Sequence, residues 1–359
     1  MKRKILFIII ILASLAIYGA RVLLENKESR KPKEELGAEQ FIQKYLMKED
    51  GRIQTNLQDQ SDIYLSETVG LWMDYLLEKD DYDQFEEAVH ILKSEFLNED
   101  YLVFWELRGE EKASANAFID DLRIMSALYR AGEQWNHRAY TKLAEKVEAS
   151  LLRYQSNDGW FVDHIDLENK GQAETITLSY IIPEGFERMN KLPAEWYDQT
   201  KQLLSDAPVS PLGFFPKSYD LPTKTFSFDP EINLIDQFYV GYHRAQWGGD
   251  VEPLVSFAKS TFERDHKLYG RYDLQSGEPS VLYEAASVYA LAILMCLEIE
   301  DTDFAKQLYE KLQAMQQTDK ARLYYGGFID IDSTATHTFD NLLALLAERK
   351  GIDENIFSH

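Results

Sequence analysis

Cysteine is nearly absent from this chain of 359 residues, and basic residues are few. The single cysteine, Cys296, excludes an intrachain disulfide framework, and it also excludes zinc sites and iron–sulfur clusters held by several cysteines. Only 38 Lys and Arg residues accompany 61 Asp and Glu residues, which gives a net charge of −23. Because a nucleic-acid binder needs a basic patch for phosphates, this balance argues against a nucleic-acid partner.

Several nucleotide-binding and catalytic motifs are also missing. The chain contains no GxxxxGK[ST], GxGxxG, HExxH or GxSxG, so nucleotide, dinucleotide, zinc-protease and serine-hydrolase chemistry lack support. The seven His residues are scattered without metal-ligand spacing. The pair Asp330 and Asp332 is typical of a solvated loop. We therefore expect neither a metal nor a cofactor.

A basic and then apolar segment opens the chain. Lys2-Arg3-Lys4 precede an uncharged, mostly aliphatic run from Ile5 to Ala20, which lacks the regular polar positions of a core helix. Two interpretations of residues 1–24 remain open. Tyr18-Gly19-Ala20 offers a cleavage site for a signal peptide, whereas the apolar residues Val22–Leu24 would extend an uncleaved signal anchor.

The same segment predicts where the rest of the chain lies. Its basic flank predicts that the N-terminus lies on the inner side of the membrane and that everything after Lys27 lies outside, either anchored or secreted. No cysteine follows the apolar run, so a lipid anchor is not expected. Residues 25–37 are charged, contain proline and show no apolar period, which predicts a short tether. Residues 38–359 then form the main domain.

Helical periodicity dominates this domain. Apolar residues recur at helical spacing in twelve segments, near 38–48, 66–79, 81–97, 117–132, 136–154, 173–189, 194–206, 231–247, 250–264, 281–299, 302–317 and 336–350. Ala285–Leu294 is apolar on nearly every face, which predicts burial between other helices, whereas Ala305–Met315 is apolar on one face only. This alternation predicts an inner and an outer ring of helices, with a two-part helical bundle as the alternative.

Four carboxylates beside apolar residues are candidate functional groups. Glu67 opens an apolar helix, where a charge interacting with the helix dipole is the alternative explanation. Asp120 and Asp121 open another helix, where helix capping is the alternative. Asp236 lies within the apolar run 232–239, and a carboxylate in such a run is either paired or functional.

Aromatic residues are plentiful, at 13 % of the chain. Trp105 lies in a cluster with Tyr101 and Phe104, where core packing is the alternative to ligand binding. Carboxylates next to aromatic rings suit glycan cleavage, because one acid protonates the leaving oxygen, a base activates water, and sugar rings stack on aromatic faces. The expected partner is therefore a polysaccharide or oligosaccharide substrate.

Five segments, in order along the chain, resemble motifs of glycoside hydrolase family 8, which contains bacterial cellulases, chitosanases and xylanases. They are Ser66–Met73 with Asp83–Phe85, Leu122–Trp135, Leu178–Pro183, Leu234–Val240 and Thr338–Leu345. The resemblance covers almost everything after Gly37. It implies an all-α (α/α)6 barrel, which agrees with the twelve helical segments, and an inverting glycosidase.

The resemblance also implies roles for individual residues. The general acid of the family falls on Glu67, and its catalytic base falls on Asp236. The family's sugar-holding acidic motif falls on residues 119–122, where Asp121 matches and Asp120 would match after a shift of one residue. Substrate contacts are implied for Trp72, Trp105, Tyr180 and Tyr239.

Four positions depart from the family pattern. Ile119 replaces an acidic residue that helps to hold and distort the sugar, Tyr239 replaces an arginine, and Leu71-Trp72 replaces Tyr-Gly. Two functions therefore stay open. One is an exported glycosidase that cleaves a β-linked polysaccharide, such as one that the cell itself exports. The other is a catalytically weakened glycan-binding protein of an exopolysaccharide synthesis and secretion machinery. An unrelated helical scaffold protein is a third alternative.

Overall fold

The computed structural model describes residues 32–58 and 60–358. Twelve α-helices are the main secondary structure of this part of the chain. In chain order, α1 to α12 are Gly37–Phe41, Ser66–Lys79, Tyr82–Ile91, Phe118–Gln134, Arg138–Ser150, Pro183–Arg188, Ala194–Ser205, Leu234–Gln246, Glu252–Asp265, Ala286–Glu298, Thr302–Ala314 and Thr338–Asp353. Helices α1, α3 and α5 each continue into one π-helical turn, over Ile42–Leu46, Leu92–Phe96 and Leu151–Gln155.

The helices form two concentric rings. The even-numbered helices form the inner ring: α2, α4 and α6 pack side by side, as do α8, α10 and α12. The 3-10 turn Leu178–Tyr180 before α6 packs against α8, and α12 packs against α2. The odd-numbered helices lie outside, with α5 against α4 and α11 against α10. The predicted (α/α)6 barrel is confirmed, and the two-part bundle is wrong because these contacts close a single ring.

The inner helix α10 shows how hydrophobicity assigns helices to rings. Every residue from Ala286 to Leu297 is buried, including Cys296. Helix α5 in the outer ring is charged along one side and buries the other, through residues such as Leu143 and Val147. A helix that is apolar on every face gains most when other helices surround it, so α10 belongs inside.

Ten short strands form four antiparallel sheets in the described part of the chain. In chain order, β1 to β10 are Ile63–Leu65, Glu106–Arg108, Glu111–Lys112, Ser156–Asn157, Trp160–Phe161, Thr175–Thr177, Ser218–Asp220, Thr225–Ser227, Glu231–Asn233 and Arg271–Asp273. The sheets are β1-β2-β3, β4-β5, β6-β7-β8 and β9-β10. Strands β1 and β9 run directly into α2 and α8, so these sheets frame the N-terminal end of the inner ring.

Three predicted helices begin later than expected. The expected starts at 173, 231 and 281 become Pro183, Leu234 and Ala286. The first difference has a clear cause in β6, whose three residues are all β-branched and favour a strand. Ile176 is buried in the core, whereas the hydroxyls of Thr175 and Thr177 donate hydrogen bonds to the Asp163 carboxylate.

The predicted signal or anchor over residues 1–24 lies outside the described residues, as does most of the predicted tether. Across 32–58 and 60–358, no helix has both the length and the apolar character needed to cross a membrane. The described chain enters the domain beside α12, where the Lys33 ammonium lies 2.7 Å from the Asp353 carboxylate.

Candidate active site

Three carboxylates meet at one end of the inner ring. Glu67, Asp120 and Asp236 lie in the first turns of α2, α4 and α8. An outer helix leads the chain back between successive inner helices, so the N-terminal ends of the inner helices converge. All three carboxylates line one open cleft with a volume of about 260 Å³. The cleft is also lined by Leu65, Trp105, Ala117, Ile119, Ser179, Tyr180, Ile235, Tyr239 and Phe339.

Glu67 is half-buried in the wall of this cleft. Burial raises the pKa of its carboxyl from 4.5 to about 8. The negative charges of Asp120 and, to a lesser extent, Asp340 also raise this pKa, and the charge of Arg123 opposes them. The Glu67 carboxyl is therefore protonated at neutral pH. A carboxyl in this state can donate a proton as a general acid.

Asp120 is the acidic residue of α4 that faces the cleft. Its carboxylate accepts a hydrogen bond from the Ser66 hydroxyl at 2.5 Å and one from the Arg123 guanidinium at 3.4 Å. Burial raises the pKa of Asp120, while Arg123 and the Ser66 hydroxyl lower it. The Ser66 hydroxyl and the Arg123 guanidinium favour the charged form of Asp120, which lies next to Glu67.

Asp121 points away from the cleft, because successive helical residues lie about 100° apart around the axis. It is completely buried and accepts hydrogen bonds from the Val103 backbone N–H and the Asn116 side-chain amide, both at 3.1 Å. Burial raises the pKa of Asp121 well above its usual value. The structure thus corrects the sugar-holding role expected of Asp121, because this residue joins α4 to the preceding loops instead.

Asp236 follows β9 at the start of α8. The Ser179 hydroxyl donates a hydrogen bond to its carboxylate at 3.3 Å. Burial raises the pKa of Asp236, while Lys217 and the Ser179 hydroxyl lower it. The side chain is half-buried, so its carboxylate remains accessible from the cleft. A carboxylate in this position can accept a proton from a water molecule.

Arg123 lies behind the cleft and contacts both Asp120 and Tyr239. Its guanidinium donates to the Tyr239 hydroxyl at 3.4 Å and lies 3.9 Å from the Asp74 carboxylate. Asp74 and Arg123 line a second cavity of about 380 Å³, which Tyr239 borders together with the cleft. The family carries an arginine where this chain has Tyr239. In this chain the guanidinium of Arg123 on α4 contacts the Tyr239 hydroxyl.

The aromatic candidates separate into two groups. Trp105 is 39 % exposed and lines the cleft together with the half-buried Tyr180. Trp72 is only 4 % exposed and stacks on Tyr75, with ring centroids 5.5 Å apart. The structure corrects the substrate contact expected of Trp72, because five helical residues place it about 140° around α2 from Glu67.

Sequence reasoning missed several polar residues of the site. The hydroxyls of Ser66 and Ser179 bind Asp120 and Asp236, and both serines directly precede residues that the sequence did single out. Arg123 had a usable signal, because an arginine between the apolar residues Leu122 and Ile124 requires a buried partner. Within residues 32–58 and 60–358, no group of three or more His, Cys, Asp or Glu side chains could hold a metal ion.

A curated relative matches nearly the full chain. The Bacillus subtilis (strain 168) protein named "Putative lipoprotein YdaJ" is 36% identical over 366 residues, which cover 99% of this chain and 99% of that protein. No protein-family model matches the chain.

Solved structures share the barrel. A novel alpha-amylase from Clostridium perfringens superimposes with a TM-score of 0.80 at 28% identity, over 88% of this chain and 96% of that one. An endo-β-1,4-glucanase of glycoside hydrolase family 8, from an Achatina fulica gut metagenomic library, gives a TM-score of 0.62 at 14% identity, over 87% and 97% of the two chains. At that identity the second likeness is one of fold.

Proposed function

We propose that this chain, which belongs to the family of the Bacillus subtilis protein YdaJ, is a divergent relative of glycoside hydrolase family 8 and cleaves a polysaccharide by an inverting general acid/base mechanism. One observation carries this proposal: Glu67 and Asp236 enter a single cleft from two different inner helices, beside the exposed ring of Trp105. A protonated carboxyl and an accessible carboxylate on either side of a bound sugar are the two groups that glycoside hydrolysis needs.

In the proposed mechanism, Glu67 donates its proton to the oxygen of the departing sugar. Asp236 accepts a proton from a water molecule, which attacks the anomeric carbon from the opposite face of the ring. The glycosidic bond breaks as the new carbon–oxygen bond forms, so the configuration at that carbon inverts. Glu67 ends ionised and Asp236 ends protonated, and proton exchange with solvent restores both groups.

Asp120 and Arg123 support the acid. The negative charge of Asp120 next to Glu67 keeps the proton on Glu67 until the leaving oxygen takes it. Arg123 holds Asp120 in place and limits the rise in the pKa of Glu67. In the family, an acidic residue at the position of Ile119 contacts the sugar, and Ile119 has no polar group to do so. Asp120 lines the same cleft and makes this contact instead.

The substrate is proposed to be a β-linked polysaccharide, including one that the cell itself exports. The endo-β-1,4-glucanase with the same barrel supports the β linkage, whereas the neighbour described as an alpha-amylase favours an α-linked glucan. A substrate panel should therefore contain β-1,4-glucan, xylan, chitosan, starch and the exopolysaccharide of the host.

Export and membrane attachment form part of the proposal. Lys2-Arg3-Lys4 and the apolar run after them support an extracytoplasmic domain held at the membrane or secreted, and the name of the B. subtilis relative supports the same location. Protease added to intact cells or protoplasts should digest the domain. Full protection from protease would contradict this location.

The proposal is tested by reducing-sugar release on the substrate panel. Glu67→Gln and Asp236→Asn should each lower turnover by about 10²–10⁴-fold, because each removes a proton-transfer group while it preserves shape. Glu133→Gln is the matched control, since Glu133 is a largely exposed carboxylate at the far end of α4. NMR of the first product anomer distinguishes inversion from retention.

A second candidate function follows from Ile119. This apolar side chain lines the cleft at the position where the family carries an acidic residue, which favours a glycan-binding protein with little activity. Such a protein would bind a glycan of the panel, and Trp105→Ala would weaken that binding, while no member of the panel is cut. It would serve an exopolysaccharide synthesis and secretion machinery.

For the hydrolase mechanism proposed first, wild-type turnover in both Glu67→Gln and Asp236→Asn would exclude general acid/base catalysis by these residues.

A further inference from the structure

A groove separate from the cleft combines aromatic and polar side chains. Its volume is about 520 Å³. It is lined by Asn157, Asp158, Trp160, Glu174, Tyr219, Leu221, Pro222 and Lys224. Trp160 and Tyr219 are each half-exposed, with ring centroids 6.0 Å apart and ring planes inclined by 40°. Rings of this kind present an apolar face and a polar edge, which suits the stacking of sugar rings.

Several polar side chains surround these rings. In the described part of the chain, the side chains of Asn157, Asp158, Glu174 and Lys224 make no hydrogen bond or ion pair, and the indole N–H of Trp160 donates none. Hydroxyl groups of a sugar can donate to the carboxylates and accept from the ammonium and the N–H. The groove therefore offers both stacking and hydrogen bonding to one ligand.

The two rings are held in place from behind. Phe226 on β8 contacts the Tyr219 ring, with centroids 5.0 Å apart. Trp160 lies on β5, which pairs with β4 through Asn157. Because the rings are carried by paired strands, little freedom is lost when a ligand binds.

Strand β6 connects the groove to the cleft. Glu174 lines the groove just before β6, and Ser179 and Tyr180 line the cleft just after it. Tyr219 pairs with Ile176 at the middle of the strand. Tyr180 lies six positions after Glu174 in the chain, so their Cα atoms lie at most about 22 Å apart. A polymer of several sugar units can reach across this distance.

We propose that the groove around Trp160 and Tyr219 is a second glycan-binding site, which holds a distant part of the polysaccharide chain whose cleavage site lies in the cleft. This inference rests on the proposed function for the identity of the ligand. Two contacts on one polymer make the second contact intramolecular, so the affinity for a long chain exceeds that for a short one. The groove thus favours long polymers over oligosaccharides.

The test uses the full chain carrying Glu67→Gln, which prevents cleavage during the measurement. Each glycan of the panel is titrated as a polymer and as its tetrasaccharide, and the ratio of the two Kd values is compared between variants. Trp160→Ala and Tyr219→Ala should each weaken polymer binding by about tenfold or more and bring the ratio of the two Kd values closer to one. Trp160→Phe and Tyr219→Phe keep an aromatic ring and should stay within about threefold of the parent.

Equal polymer affinity in the parent and both alanine variants would overturn the proposal. So would an equal loss for polymer and tetrasaccharide, or the absence of polymer binding to the parent. If the wild-type chain cuts no glycan but the alanine variants still lose polymer affinity selectively, the second site stands and the proposed glycosidase activity fails. Melting curves of each variant identify loss of folding, and Tyr219→Ala tests the site should Trp160→Ala fail to fold.

Discussion

Trp105 and Trp72 differ in their expected roles, since Trp105 is exposed in the cleft and Trp72 is buried in the core. Trp105→Ala should weaken oligosaccharide binding by about fivefold, or about 1 kcal/mol, because one sugar ring loses its aromatic platform. Its exposure of 39 % predicts little change in the free energy of unfolding. Trp72→Ala should instead lower that free energy by about 3–5 kcal/mol, because a buried ring leaves a cavity. Titration with oligosaccharide and urea denaturation measure the two effects.

The opposite result would reverse the assignment of the two rings. A large loss of stability with intact affinity in Trp105→Ala would return Trp105 to the core. Weakened binding in a Trp72→Ala protein with normal stability would place Trp72 in contact with the ligand.

Arg123 should set the alkaline limit of activity. Its charge lowers the pKa of Glu67, so Arg123→Met should raise that pKa and move the alkaline limb of kcat/KM to higher pH. The groups that face Arg123 are Asp74, Asp120, Glu67 and the Tyr239 hydroxyl. Arg123→Lys keeps the charge and should leave the limb near its original position, although it loses the planar geometry of the guanidinium.

The measurement is the pH profile of kcat/KM for the three proteins. An unchanged alkaline limb in Arg123→Met, together with normal folding, would limit Arg123 to a packing role.

At the level of the element, the first turn of α4 carries two acidic residues with different functions. Asp121→Ala should destabilise the protein, because the Val103 N–H and the Asn116 amide each lose a buried acceptor at about 1–3 kcal/mol per donor. Asp120→Asn should instead lower turnover and move the alkaline limb of kcat/KM to lower pH, since the charge that raises the pKa of Glu67 is gone. Urea denaturation and a pH profile of each variant separate the two roles.

Loss of stability in Asp120→Asn and loss of turnover in a well-folded Asp121→Ala protein would exchange these assignments. The sequence alone could not make this choice, because both residues occupy the same helical turn. Their directions depend on how α4 is rotated within the inner ring, and contacts with other helices and loops set that rotation.

Most of the strands at the mouth of the barrel also escaped prediction. Each contains only two or three residues, which is too short for a period-two pattern to stand out. The resemblance assigned the expected base to Asp236 within the segment Leu234–Val240. It did not indicate that a strand precedes α8 and leaves Asp236 in the first helical turn.

For the molecule as a whole, the half-buried Glu67 should make stability depend on pH. The pKa of Glu67 in the folded protein is about 8, above its usual value of 4.5. The contribution of Glu67 to the free energy of unfolding is therefore fully present below pH 4.5 and is lost as pH rises through about 8. Glu67→Gln does not titrate, so the variant should gain stability relative to wild type between pH 5 and pH 9.

Urea denaturation of both proteins at several pH values measures this difference. Asp74→Asn provides a comparison in the second cavity behind the cleft, because burial also raises the pKa of Asp74, to about 7. A stability difference between Glu67→Gln and wild type that stays constant with pH would contradict the buried, neutral carboxyl.

The sequence by itself determined the number of helices, their alternation between rings and the two segments that carry Glu67 and Asp236. Hydrophobic periodicity encodes these features locally, because a helix that is apolar on all faces must lie inside and a one-sided helix outside. The tertiary structure decided which side chains reach the cleft. It turned Asp120 in and Asp121 out, buried Trp72 against Tyr75, and brought Arg123 to Tyr239. Those outcomes depend on helix rotation and on contacts between residues far apart in the chain, which no local pattern records.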